Sequence, residues 1–116
     1  MKNLTLCLSL GLLGLLGRAE SDQQMSFVFE LVRHGARAPI MDMDLSEFPV
    51  AEGMLTASGM RQRYLLGKNS RRKYMEESQD FLSPNFDPTE VFFQSTDVNR
   101  TIASTYSEIM GLYPPG

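Results

Sequence analysis

Arg33, His34 and Arg37 stand together in the run Arg33-His34-Gly35-Ala36-Arg37-Ala38-Pro39, and His34 is the only histidine among 116 residues. An arginine keeps its charge and offers a planar fork of donors matched to phosphate oxygens. An imidazole exchanges its proton near neutral pH and carries a nucleophilic nitrogen when neutral. Gly35 lets the backbone come close to whatever the arginines hold. The set suits a phosphate that is bound by guanidinium groups and attacked by a ring nitrogen.

A second arginine segment, Ser95-Thr96-Asp97-Val98-Asn99-Arg100-Thr101, lies far along the chain. If Arg100 joins Arg33 and Arg37 around one imidazole, three like charges repel unless an anion lies between them. A phosphate relieves that repulsion, and cationic neighbours favour the neutral, attacking form of His34. In phosphoryl transfer most of the catalytic effect comes from positioning and from stabilising charge on the oxygens. No cluster of His, Cys and carboxylates with metal-ligand spacing accompanies these residues, so the chemistry calls for neither metal nor cofactor.

The elements around these segments predict how they meet. Residues 26–32 form a near-continuous apolar run, typical of a strand covered on both faces, which stops at Arg33. Residues 40–53 have Pro49, Gly53, scattered acids and no period, which marks an irregular excursion. Thr56 is a plausible N-cap for a helix continuing to about Glu77. Its packed face is expected at Leu55, Met60, Tyr64 and Gly67, and its basic cluster at 68–73 reads as a solvated helix end. Residues 90–94 read as a second short strand. Ser95-Thr96-Asp97 then offers N-cap chemistry for a helix over 98–110, with apolar positions Val98, Ile102, Tyr106, Ile109 and Met110. Strand, crossover with a helix, strand, helix is an α/β pattern, a βαβα unit whose right-handed crossover makes the strands parallel. Both strands then end at one sheet edge, the edge where open α/β sheets bind ligands. That edge receives Arg33, His34 and Arg37 from the first strand and 95–100 from the second.

Composition bounds the rest. Hydrophobic residues are 42%, charged residues 22% and the net charge is -3, which argues against nucleic acid as a partner. Residues 1–19 read as a cleaved secretory signal: a short basic start, a leucine-rich stretch over 4–16 and Gly17-Arg18-Ala19 at its end. Cleavage there removes Cys7, the sole cysteine, and leaves residues 20–116 with no membrane segment. Small secreted domains usually carry disulfides, so a thiol-free piece of this size is expected to be part of something larger.

At these residues the chain resembles the histidine acid phosphatases, the secreted, lysosomal and prostatic-type branch of the histidine phosphatase superfamily. Arg33 to Pro39 matches the family signature R-H-G-x-R-x-P in full. Leu55-Thr56 through Gly59, with Gln62 and Leu66-Gly67, is similar to the helix after its first loop. Ser95 to Thr101 is similar to its second arginine segment, and Leu112-Tyr113-Pro114-Pro115 to the stretch after that segment. The resemblance implies an α/β fold of the phosphoglycerate-mutase type with a helical cap. It implies His34 as the nucleophile that becomes phosphohistidine, and Arg33, Arg37 and Arg100 as ligands of a phosphomonoester. It also implies a downstream His-Asp pair that protonates the leaving group, and 20–116 lacks a second histidine, so it reads as the first quarter or third of an enzyme that is inactive alone. Asp42, Asp44 and Asp97 have nothing in their spacing to aim them at a leaving oxygen. Inositol polyphosphates, as in the related phytases, are an alternative substrate class, and a non-catalytic phosphate-binding fragment is another reading. Asn99-Arg100-Thr101 is a glycosylation sequon expected to stay unmodified beside the phosphate pocket.

Overall fold

The computed structural model describes residues 24–41, 44–78 and 81–116. The expected signal over 1–19, with Cys7, and Asp42 lie outside the described residues. Helix α1 spans Ala57–Arg71 and runs into a π-helical turn, Arg72–Glu76, while helix α2 spans Asn99–Leu112. Thr56 caps α1 as expected: its backbone is extended, and its hydroxyl accepts from the Gly59 N–H at 3.1 Å. α2 begins differently. Val98 occupies its cap position without a side-chain bond, and Ser95 to Asp97 are exposed. Thr101, one turn inside, donates its hydroxyl to the carbonyls of Val98 and Thr96 at 2.7 and 2.9 Å. The ordering of the helix start has thus passed from a cap to a threonine folding back on its own chain.

The two helices meet through small and polar residues rather than through their large apolar ones. The buried positions of α1 are Gly59, Arg63, Gly67 and Ser70, continued by Tyr74 in the π-turn, while Met60 and Tyr64 are exposed. Those of α2 are Ser104, Gly111 and Leu112, while Tyr106 and Met110 are exposed. The expected packing face thus holds at Leu55 and Gly67 and is corrected at Met60 and Tyr64 on α1, and it is corrected at Val98, Tyr106 and Met110 on α2. The cause is close backbone approach: a Cβ at Gly67 would collide with the Glu108 carbonyl, and one at Gly111 with the Tyr64 carbonyl. Arg63 crosses the same seam to pair with Glu108.

Among the described residues no strand ladder forms, so the expected parallel pair of 26–32 and 90–94 is absent from them. Phe27 is 79% exposed, Leu31 90% and Phe92 86%. Strands of this composition are stable only when neighbours pair with them and layers cover both faces, and two strands alone give neither. The first segment is instead fastened by Tyr74, whose hydroxyl donates to Glu30 Oε1 at 2.7 Å. The pairing that does occur is antiparallel and lies at the motif itself, a single bridge between Arg37 and Leu55. Ala38 N–H donates to the Met54 carbonyl, Gly53 N–H to Pro39 and Thr56 N–H to Ala36, at 2.9 to 3.1 Å. The excursion over 40–53 closes at Gly53, whose φ of 68° suits a residue without a Cβ. Ala38 and Leu55, 0% and 2% exposed, form the small core beneath this turn.

Candidate active site

The loop bearing His34 is held from both helices. Gly35 N–H donates to Ser104 Oγ on α2 at 3.1 Å, and Ala36 N–H donates to Gln62 Oε1 on α1 at 3.0 Å. The Ala36 carbonyl accepts from both the amide and the hydroxyl of Thr56, at 3.0 and 2.9 Å. Gly35 and Gly59 face each other so closely that a Cβ on either would overlap the other segment's backbone. The loop therefore sits directly on the first turn of α1. Its amides at Gly35 and Ala36 are spent on protein partners, unlike the free amides of a glycine-rich phosphate cradle. An anion here must be gripped by side chains.

Those side chains border one cleft of about 360 Å³, lined by Arg33, His34, Gly35, Ala36, Arg37 and Pro39. Arg33 is exposed, and His34 and Arg37 are half-buried. His34 Nδ1 lies 2.7 Å from the Gly35 carbonyl oxygen. A carbonyl only accepts, so Nδ1 is the protonated nitrogen here, and in the neutral ring the lone pair lies on Nε2. The neutral ring is thereby prepared to attack through Nε2. Arg37 Nη1 donates to the Ala38 carbonyl at 2.9 Å, which fixes one edge of its fork.

Arg100 stands apart from the lining of this cleft. Its Nη1 is 3.8 Å from where a Cβ on Gly53 would lie, so its guanidinium reaches the turn that closes behind Pro39. Its Nε is buried without a hydrogen-bond partner among the described residues. The structure thus gathers Arg33, His34 and Arg37 around one cleft and puts Arg100 beside the same loop but outside that cleft. Asp44 and Asp97 are exposed and do not line the cleft. Asp44 is held below the usual carboxylate range by bonds from Ser46, chiefly its backbone N–H, which keeps it ionised. Gln62 and Ser104 gain no role in the chemistry from sequence alone. The only local hint for Ser104 is its place one helical turn after Arg100.

Comparison with known proteins supplies the identity of this loop-on-helix arrangement. Residues 24–116 match the model of the histidine phosphatase superfamily (branch 2). The chain is 36% identical to prostatic acid phosphatase of Homo sapiens over 117 residues, covering 93% of this chain and 29% of that protein. It is 37% identical to testicular acid phosphatase of Mus musculus over 111 residues, covering 89% of this chain and 25% of that protein. It is 35% identical to lysosomal acid phosphatase of Xenopus laevis over 98 residues, covering 80% of this chain and 22% of that protein. The chain spans less than a third of the length of each of these relatives. With the signature loop at 33–39 inside the matched region, the chain belongs to the histidine phosphatase superfamily (branch 2), and its fold type is the phosphoglycerate-mutase-like one that this membership implies.

Proposed function

We propose that this chain carries the nucleophile and the phosphate grip of an acid phosphatase, a hydrolase of phosphate monoesters acting through phosphohistidine at His34. The observation that carries the reading is the bond from His34 Nδ1 to the Gly35 carbonyl, which makes Nε2 the attacking nitrogen of the neutral ring in the cleft that Arg33 and Arg37 also line. The names of the relatives support it. In the first step the Nε2 lone pair forms a bond to phosphorus as the bond to the leaving oxygen breaks, and that oxygen takes a proton from a general acid. In the second step water adds to phosphorus, the N–P bond breaks with its electron pair returning to Nε2, and the water's proton passes to the group that acted as acid. Arg33 and Arg37, which line the cleft, hold the phosphoryl oxygens as charge shifts between them, and the family resemblance adds Arg100 from beside the same loop. Among the described residues no carboxylate lines the cleft, so the leaving-group proton comes from outside this lining, in the role that the family resemblance gives to a His-Asp pair.

In this reading residues 26–32 and 90–94 are the strands of the βαβα unit. Their exposed Phe27, Phe29, Leu31 and Phe92 are the apolar surface that a complete sheet and its covering layers bury. The substrate is a phosphomonoester, and nucleic acid is not a partner. Among the described residues no helix is long and apolar enough to cross a membrane. The leader-like residues 1–19, with relatives named as prostatic and lysosomal, support a secretory route to the exterior or the lysosome. The test is hydrolysis of phenyl phosphate at acid pH by the full-length protein carrying this chain. His34→Ala should lower turnover by at least about a thousandfold, as expected for loss of a nucleophile. Turnover that survives the substitution would refute the assignment, and parallel release of phosphate from phytate would separate simple monoesters from inositol polyphosphates.

A further inference from the structure

Ser104 is 3% exposed in the middle of α2, and its hydroxyl makes two bonds that no other hydroxyl of that helix combines. It donates to the Arg100 carbonyl at 2.7 Å and accepts from the Gly35 N–H at 3.1 Å. Thr105 and Ser107 also donate to the carbonyl one turn back, at 3.0 and 2.8 Å, and theirs are ordinary helix back-bonds with no partner in the loop. On the far side of the same residue, the Gly35 carbonyl accepts from His34 Nδ1 at 2.7 Å. A continuous series of bonds therefore runs from the Arg100 carbonyl through Ser104 Oγ and both polar groups of Gly35 to the ring of His34. The Gly35 N–H and C=O belong to adjacent peptide planes that hinge at its Cα, so anchoring the first plane limits how far the second can turn, and the buried amide has no water to replace a lost partner. Gly59, pressed against Gly35 on the other side, leaves the loop little room to tilt.

The geometry points to Ser104 as a positioning residue for the phosphoryl-transfer step: its hydroxyl fixes the Gly35 backbone, and so the orientation of His34, relative to the helical turn that carries Arg100. This inference rests on the proposed nucleophilic role of His34. It adds a residue that touches neither the phosphate nor the reacting atoms and acts through Gly35. Deleting the hydroxyl frees the Gly35 amide, lets the loop turn and loosens the bond that directs Nε2 outward. The arginine side chains, which hold ground-state phosphate, keep their places. Loss of Ser104 therefore reduces turnover more than binding.

The experiment compares Ser104→Ala, Ser104→Cys and Ser107→Ala in the full-length protein, with His34→Ala beside them. Cys is slightly larger than Ser, so it leaves no cavity, but it is a weak acceptor. Both Ser104 variants should lose about tenfold or more in kcat, as expected for one buried hydrogen bond. Inhibition by inorganic phosphate should stay within about twofold, and Ser107→Ala should match the unaltered protein. Hydrogen exchange at the Gly35 amide supplies a readout independent of activity: protected in the unaltered protein and in Ser107→Ala, accelerated in Ser104→Cys. Full activity or unchanged Gly35 protection in Ser104→Cys would overturn the inference and reduce Ser104 to a packing role, a result that can be read even if Ser104→Ala does not fold. Failure of the nucleophile reading looks different, because His34→Ala would then remain active whatever the Ser104 variants do.

Discussion

Arg63 on α1 and Glu108 on α2 form an ion pair across the helix seam, with side chains only 9% and 13% exposed. The pair joins the two helices that hold the His34 loop, one through Gln62 and the other through Ser104. Removing one partner of such a pair strands a shielded charge. Arg63→Met should therefore destabilise the protein by about 3 kcal/mol, and pairing it with Glu108→Leu should recover most of the loss. Denaturant unfolding of the two variants checks this.

Burial pushes the Glu108 carboxyl above its ordinary range, and the nearby Arg63 opposes that shift without cancelling it. A group whose value is raised by folding binds its proton more tightly in the folded state. Its stabilising contribution is present below the ordinary glutamate value and is lost as pH rises through the raised one. Relative to Glu108→Gln, the unaltered protein should be favoured at acid pH and lose ground across that window as pH increases. Thermal unfolding of both proteins from acid to neutral pH reads the crossover, and a difference independent of pH would contradict it.

Tyr74 gives the opposite end of the pH scale. Burial first, then its bond to Glu30 and the charge of that carboxylate, push its hydroxyl up to about 12. The contribution of this bond is intact below the ordinary tyrosine range and disappears as pH rises through about 12. Ultraviolet titration of phenolate should show a late-ionising component near pH 12, and Tyr74→Phe should diminish it.

The helix seam makes its own demand. Gly67 and Gly111 each lie against a carbonyl of the facing helix. Gly67→Ala and Gly111→Ala should each cost about 1–3 kcal/mol by forcing the helices apart, despite the better helix propensity of alanine. The loss should appear as a lower Tm, and the proposed phosphatase activity of the full-length protein should fall with it, because the same displacement moves Ser104 away from Gly35.

What the sequence makes legible depends on the range of each interaction. The α1 cap is readable because Thr56 and Gly59 lie three positions apart and the bond between them is local. Arg33, His34 and Arg37 stand out because they are nearly contiguous. The packing faces mislead because hydrophobic periodicity assumes that large apolar side chains meet the neighbour, whereas here glycines admit the opposite backbone and leave Met60 and Tyr106 exposed. The α2 cap misleads because Ser95, Thr96 and Asp97 are suited by type to accept from first-turn amides, whereas Val98 occupies the cap position and Thr101 donates to carbonyls before it. The bonds that Ser104 and Gln62 make stay hidden because their partners are 69 and 26 positions away, and nothing in a one-dimensional pattern marks a long-range bond to a backbone amide. The parallel strand pair is inferred from composition, which measures the tendency to be covered and cannot supply the neighbouring strands.

The most direct test of the nucleophile assignment is rapid quenching of the full-length protein during turnover of a phosphorus-labelled monoester, followed by mapping of the labelled peptide. A single acid-labile, base-stable phosphoramidate on His34, absent from His34→Ala, is the predicted result. Turnover with label on another residue, or with no covalent label under conditions where phosphoryl transfer is faster than hydrolysis, would contradict it.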